Sequence, residues 1–176
     1  MKILKWLAIV ILGLSVLIVG GGLLLSGRFH IERSVLVQAP PAKAYDLVAD
    51  PRHWKEWSVW NRRDPAMKIE YFGEPAGAGS GWAWQSKSEG DGRMTLTGAE
   101  PGQRVAYELY FPDMGSTSTG ELRFAPDGGA TRVSWTMDGD MGRNPLMRWM
   151  GLLMDRMVGP DFDAGLANLK SRAEQP

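Results

Sequence analysis

The sequence has no cysteine and only two histidines in 176 residues, and its 20 Lys+Arg balance its 20 Asp+Glu. Without thiols there is no disulfide framework, no thiolate zinc site and no thiol nucleophile. Two imidazoles leave little for a metal centre. A formal charge of zero removes the electrostatic footprint of a nucleic-acid binder. The 22 Gly and 11 Pro are scattered through the chain, so they mark turns and not a disordered tract. The length that remains suits one domain with a real hydrophobic core.

Charge is also missing locally. Trp6 to Leu25 are 20 residues without a charged side chain, bracketed by Lys2, Lys5 and Arg28. As a helix rising about 1.5 Å per residue, this run is roughly 30 Å long, the thickness of a bilayer core. The rival is a cleavable signal peptide, whose apolar region runs about 7–15 residues before a small-x-small site. Gly20 and Gly22 make a poor site of that kind, because Leu23, Leu24 and Leu25 prolong the apolar run. The expected organisation is an anchor (1–27) followed by a single domain (28–176). Lys2, Lys5 and the α-amine favour an inside N-terminus and Arg28 and Arg33 oppose it. The short leader tips the balance toward an exported domain at the membrane. That domain holds 18 of the basic residues and all 20 acidic ones. A net charge of −2 gives it no attraction of its own to anionic lipid.

Beyond the anchor, period-two patterns dominate. Ile31, Arg33, Val35 and Val37 alternate with His30, Glu32, Ser34 and Leu36 as a first strand. Ala44, Tyr45, Leu47 and Val48 give a short amphipathic helix after Pro40-Pro41, and Asp50-Pro51 starts a second one carrying Trp54 and Trp57 and extending to Trp60. Further strands centre on Ile69, Trp82, Leu96, Val105–Phe111, Leu122–Phe124 and Val133–Met137, and Pro126-Asp-Gly-Gly129 makes a hairpin turn. After Asn144-Pro145 the period becomes helical. Leu146, Met147, Met150, Leu153, Met154 and Met157 share a stripe, which continues through Phe162, Leu166 and Leu169 as one long helix kinked at Pro160. Successive strands without intervening helices make an antiparallel sheet. The fold class is α+β: a curved sheet of about six to seven strands wrapped around a long C-terminal helix.

Several strings then carry a resemblance. Glu32-Arg-Ser34 through Pro40-Pro41, Trp54-Lys-Glu-Trp57-Ser58, Trp135-Thr-Met-Asp-Gly139 and Met154-Asp-Arg-Met157-Val-Gly-Pro-Asp-Phe162 with Gly165-Leu-Ala-Asn-Leu169 resemble the SRPBCC superfamily. More narrowly, they resemble its polyketide cyclase/dehydrase-like branch, related to START lipid-binding domains. The similarity spans about residues 29–173. It implies a helix-grip fold with a deep apolar pocket.

Signals of catalysis are few. His30 lies just past the membrane boundary, and His53 reads as a solvated helix-surface residue. No Ser/His/Asp order with a nucleophile elbow appears. Asp138-Gly-Asp140 lacks the rest of a cation loop, and Gly73–Gly81 leads into a strand where a phosphate cradle would open a helix. No catalytic residue, metal or cofactor is assigned. The eight Trp leave core, pocket wall and membrane contact open. The Met stripe leaves core and pocket lining open.

The function expected is membrane-anchored binding of a hydrophobic small molecule or lipid, with no nucleic-acid partner. The rivals are a cyclase or dehydrase acting on a polyketide-like substrate and a ligand-sensing module acting on a membrane partner. The pocket is placed between sheet and long helix. Its candidate residues are Trp82, Tyr107, Leu109 and Trp135 on the sheet and Met150, Met154 and Met157 on the helix.

Overall fold

A computed structural model describes residues 2–175; Met1 and Pro176, the outer ends of the two expected segments, lie outside it. Helix α1 (Lys2–Leu24) is followed by β1 (Arg28–Val37), α2 (Pro41–Ala49), a 3-10 turn (Pro51–His53), α3 (Trp54–Trp57) and α4 (Trp60–Arg63). Six more strands follow: β2 (Lys68–Phe72), β3 (Gly81–Gln85), β4 (Gly92–Glu100), β5 (Arg104–Phe111), β6 (Ser116–Asp127) and β7 (Ala130–Asp140). Helix α5 (Pro145–Ala173) closes the chain. Among the described residues, α1 is the one helix long and apolar enough to cross a membrane.

All seven strands form one antiparallel sheet in the order β1-β7-β6-β5-β4-β3-β2. Short hairpins explain every step of that order except the first, in which β1 pairs with β7 along its whole length. Asp127 and Ala130 face each other across Gly128 and Gly129, whose φ angles of 57° and 90° suit the hairpin turn that twisted strands prefer. A register shift between Leu96 and Gly98 bends β4 and helps the sheet curl.

Local signals start the helices. Asn144 Oδ1 accepts the Leu146 N–H at 3.0 Å, with Pro145 in the first helical position. Asp50 does the same for Arg52 ahead of the 3-10 turn. The expected second short helix is divided, because Ser58 is extended and so Trp60 belongs to a separate turn. Helix α5 runs through Pro160 as a single element.

The string around Pro160 has a tertiary explanation. Phe162 stacks on Trp135 at 3.9 Å, and Gly165 leaves room for that ring. Asp161 accepts from Arg63 and from Trp60 Nε1. Asn168 donates to the Trp57 carbonyl. Arg33 on β1 grips Asp155 and Asp163, one on each side of Pro160. Each unusual residue meets a specific partner on the sheet or the short helices. The C-terminal half of α5 is thereby fixed on the core, where Phe162, Leu166, Leu169 and Ala173 are buried.

Candidate functional site: a methionine-lined cavity

The N-terminal half of α5 is held differently. Between Met147–Val158 and the sheet lies a cavity of about 1010 Å³. A helix lying over a curled sheet cannot touch it along its whole length. Here the gap opens where α5 moves away from the aromatic core. Trp82 and Trp84 of β3, Met94 of β4, Leu109 and Phe111 of β5 and Met137 of β7 supply the sheet wall. Trp60 and Asn61 supply one flank, and Met147, Met150, Met154, Met157 and Val158 the helix side.

The lining has one compositional feature that outweighs the rest. The chain has ten methionines, and the nine after Met1 all line this cavity: Met67, Met94, Met114, Met137, Met141, Met147, Met150, Met154 and Met157. Three rotatable bonds and a polarisable sulfur let Met fill irregular space and re-pack around different shapes. A core specified for rigidity would favour Leu, Ile and Val instead.

Behind the cavity the aromatics form a solid block. Trp54 contacts Trp57, Trp82, Tyr107 and Trp135 at ring separations of 4.5–6.1 Å. Its indole N–H donates to the Val48 carbonyl and that of Trp57 to Leu47, so neither is left unpaired. Trp60 and Trp82 belong to both groups: one side faces the block and the other the cavity.

The structure brings together five of the seven sequence candidates, Trp82, Leu109, Met150, Met154 and Met157, on the cavity wall. Tyr107 and Trp135 are placed elsewhere. Both are buried in the aromatic block, where Trp135 Nε1 donates to the Tyr107 hydroxyl at 2.9 Å and that hydroxyl donates to the Thr136 carbonyl at 3.0 Å. Burial drives the Tyr107 pKa far above its ordinary value. The strand phase is right for both, but the position along the strand is not. Two residues further on, Leu109 and Met137 do reach the cavity. The border between core and cavity crosses the strands at that level. The expected helix stripe is also divided: Leu146 and Leu153, at its edge, are exposed and do not line the cavity. Trp60, Trp84, Met94 and Met137 were missed, although the abundance of Met and the alternation around 94 and 137 carried a signal.

Polar groups are the minority of the lining, and its two most buried carboxylates are engaged. Asp91 accepts the Ser86 N–H at 3.0 Å, and Glu89 faces Arg63 at 3.6 Å. Among the described residues, every buried side-chain nitrogen or oxygen has a hydrogen-bond partner, and no trio of His, Asp or Glu is grouped as a metal site. His53 reaches the Asp46 carbonyl, and His30 pairs with Asp138; neither lines the cavity.

Solved structures share this architecture. Protein CV1439 from Chromobacterium violaceum superposes with a TM-score of 0.61 at 16% identity, covering 84% of this chain and 99% of its own. The di-domain ARO/CYC BexL from the BE-7585A biosynthetic pathway gives 0.60 at 18% identity, with 85% of this chain covering 51% of that longer one. Ara h 8.0201 gives 0.57 at 14% identity, covering 82% and 99%. At such identities the likeness is one of fold. No protein of curated function matches the sequence. The sequence match is to a family described as polyketide cyclase / dehydrase and lipid transport; it spans residues 28–174, from the first strand to the end of α5, and the chain belongs to that family.

Proposed function

We propose that the protein is a membrane-anchored binding domain for a hydrophobic small molecule or lipid, held between the sheet and the N-terminal half of α5. The observation that carries this reading is the collection of all nine described methionines around one cavity of about 1010 Å³. That volume is at the upper end of the roughly 300–1,000 Å³ typical of ligand pockets, enough for a lipid chain or a multi-ring compound. Affinity would come from apolar burial at about 25 cal/mol per Å². Four carboxylates (Glu89, Asp91, Asp113, Asp140) face one guanidinium, Arg143, around the lining. That balance favours ligands with a neutral or cationic polar end over anionic ones. Turnover by a cyclase or dehydrase would need a free acid or base, and the two innermost carboxylates, Glu89 and Asp91, are tied to Arg63 and to the Ser86 amide.

Helix α1 supports the anchoring, with the domain on the exported side as the charge pattern of the sequence favours. The decisive experiment takes the full-length protein in detergent, extracts it with organic solvent and identifies bound molecules by mass spectrometry. A parallel titration uses an apolar fluorescent probe. A stoichiometric apolar ligand that displaces the probe is expected. An empty extract together with no probe binding overturns the reading.

A further inference from the structure

The outer face of α5 does not look like a solvated surface. In its first turns Leu146, Trp149, Leu152 and Leu153 are all exposed, at 55, 39, 57 and 43%. They recur at helical spacing on the arc beside the cavity-facing methionines, about a quarter-turn around the helix from them. The apolar arc of this half therefore extends past the cavity stripe onto the exposed surface. It leaves only a narrow polar strip at Arg148, Asp155 and Arg156, a pattern that fits a membrane better than water. The C-terminal half of the same helix is an internal control. It buries Phe162, Leu166 and Leu169 and exposes Asp163, Ser171 and Arg172.

The location of that face is set by α1. Trp149 Nε1 donates to the Ile18 carbonyl at 2.9 Å, and Arg148 donates to the carbonyls of Leu23 and Leu25. Gly21 and Gly22 exist for this contact: a Cβ on Gly21 would sit 2.7 Å from the Trp149 ring, and one on Gly22 would strike the Pro145 carbonyl. Ile18 lies six residues before the end of α1, about 9 Å along a helix. The headgroup–acyl boundary occupies about that depth, and interfacial helices bury their apolar faces roughly 5–10 Å into it.

The cavity opens toward the same end. Phe29 and Ser118 both pair with Gly139, so the β5–β6 turn with exposed Met114 and the β7–α5 turn lie beyond that level, beside the end of α1. Both turns line the cavity.

We propose that the Leu146–Leu153 face of α5 is seated in the bilayer interface, so that the cavity mouth meets the membrane and hydrophobic ligands enter from the lipid phase without crossing water. The inference rests on the membrane-anchored reading above. A lipid surface is chosen over a protein partner because α1 carries this face to interface depth.

The absence of cysteine makes the test direct. Full-length variants Leu146→Cys, Leu12→Cys and Ser171→Cys are labelled with an environment-sensitive fluorophore and reconstituted into phosphatidylcholine/phosphatidylglycerol vesicles containing lipids with a spin label on the upper acyl chain. The Ser171 site is the distant control on the same helix. Expected is quenching at Leu146 several-fold above that at Ser171, with a blue-shifted emission, independent of protein-to-lipid ratio. Quenching at Leu146 equal to that at Ser171, while Leu12 is strongly quenched, overturns the inference and leaves the anchor intact. An unquenched Leu12 overturns the anchor and the inference with it. A signal from the Leu146→Cys variant that rises with protein density, and that accompanies disulfide cross-linking of two copies in the unlabelled variant, assigns the face to a second copy and overturns the proposal.

Discussion

The Trp135 indole N–H has one acceptor, the Tyr107 hydroxyl, and that hydroxyl in turn donates its hydrogen bond to the Thr136 carbonyl. Removing the hydroxyl leaves a buried donor without a partner, at a cost of about 1–3 kcal/mol. Tyr107→Phe is therefore expected to lower the urea midpoint by that equivalent while apolar probe affinity stays unchanged, since Tyr107 lies outside the cavity. His30 offers a second test at this scale. Its Nδ1 lies 2.8 Å from Asp138 Oδ1, and that hydrogen bond raises the His30 pKa above the ordinary 6.5. A raised folded-state value means the pair contributes its full stability below pH 6.5 and loses it as pH climbs through the higher pKa. The group is exposed, so the effect is small. Ring-proton NMR should place the midpoint above 6.5, and His30→Gln should flatten the stability profile in that window; a midpoint at or below 6.5 refutes the pairing.

Helix α5 is two elements in one. Its C-terminal half fills the core, and its N-terminal half covers empty space. The two halves should respond oppositely to changes in volume. Leu166→Ala removes packed volume and should cost about 2–5 kcal/mol, read from thermal or urea unfolding, without direct loss of probe binding. Met154→Trp adds volume where there is room. It should reduce probe affinity by an order of magnitude or more at a nearly constant melting temperature. Overpacking would instead cost about 1–3 kcal/mol, so a clear fall in melting temperature with Met154→Trp would mean that the space is filled in solution.

At the scale of the whole molecule, the methionines give the cavity a chemical vulnerability. Oxidation to the sulfoxide turns an apolar thioether into a polar group. Met114 and Met157 are more than half exposed, so they should react before the buried methionines. Brief peroxide treatment is expected to weaken probe binding by about tenfold or more, since one unpaired polar group in an apolar site costs roughly 1–3 kcal/mol. The melting temperature should change much less, because Met94 and Met137, the methionines buried in the core, are shielded from brief treatment and Trp54, Trp57 and Trp135 carry no thioether. Methionine sulfoxide reductases should restore binding. A parallel loss of binding and stability would mean that the reacting methionines also carry the packing of the core.

Local patterns were sufficient for the architecture. Alternation placed Ile31, Val105, Leu122 and Val133 on the inner face, and Asn144-Pro145 started α5, because face and cap depend on residues close together in the chain. The run from Trp6 to Leu25 was likewise visible as an apolar helix of membrane length. Half of the site was legible for the same reason: Trp82, Leu109 and the α5 methionines follow from phase and period. What the sequence could not show is how far along each strand the core extends. Tyr107 and Leu109 share a phase, yet one is core and the other cavity wall, and only the point at which Phe162 meets Trp135 decides between them. The glycines of α1 are the other case. In the chain they are merely poor helix formers, and their role emerges only when Trp149 and Pro145 pack onto them from more than 120 residues away. Period is a local property of the chain, whereas the edge of a cavity and the meeting of two helices depend on contacts between distant segments.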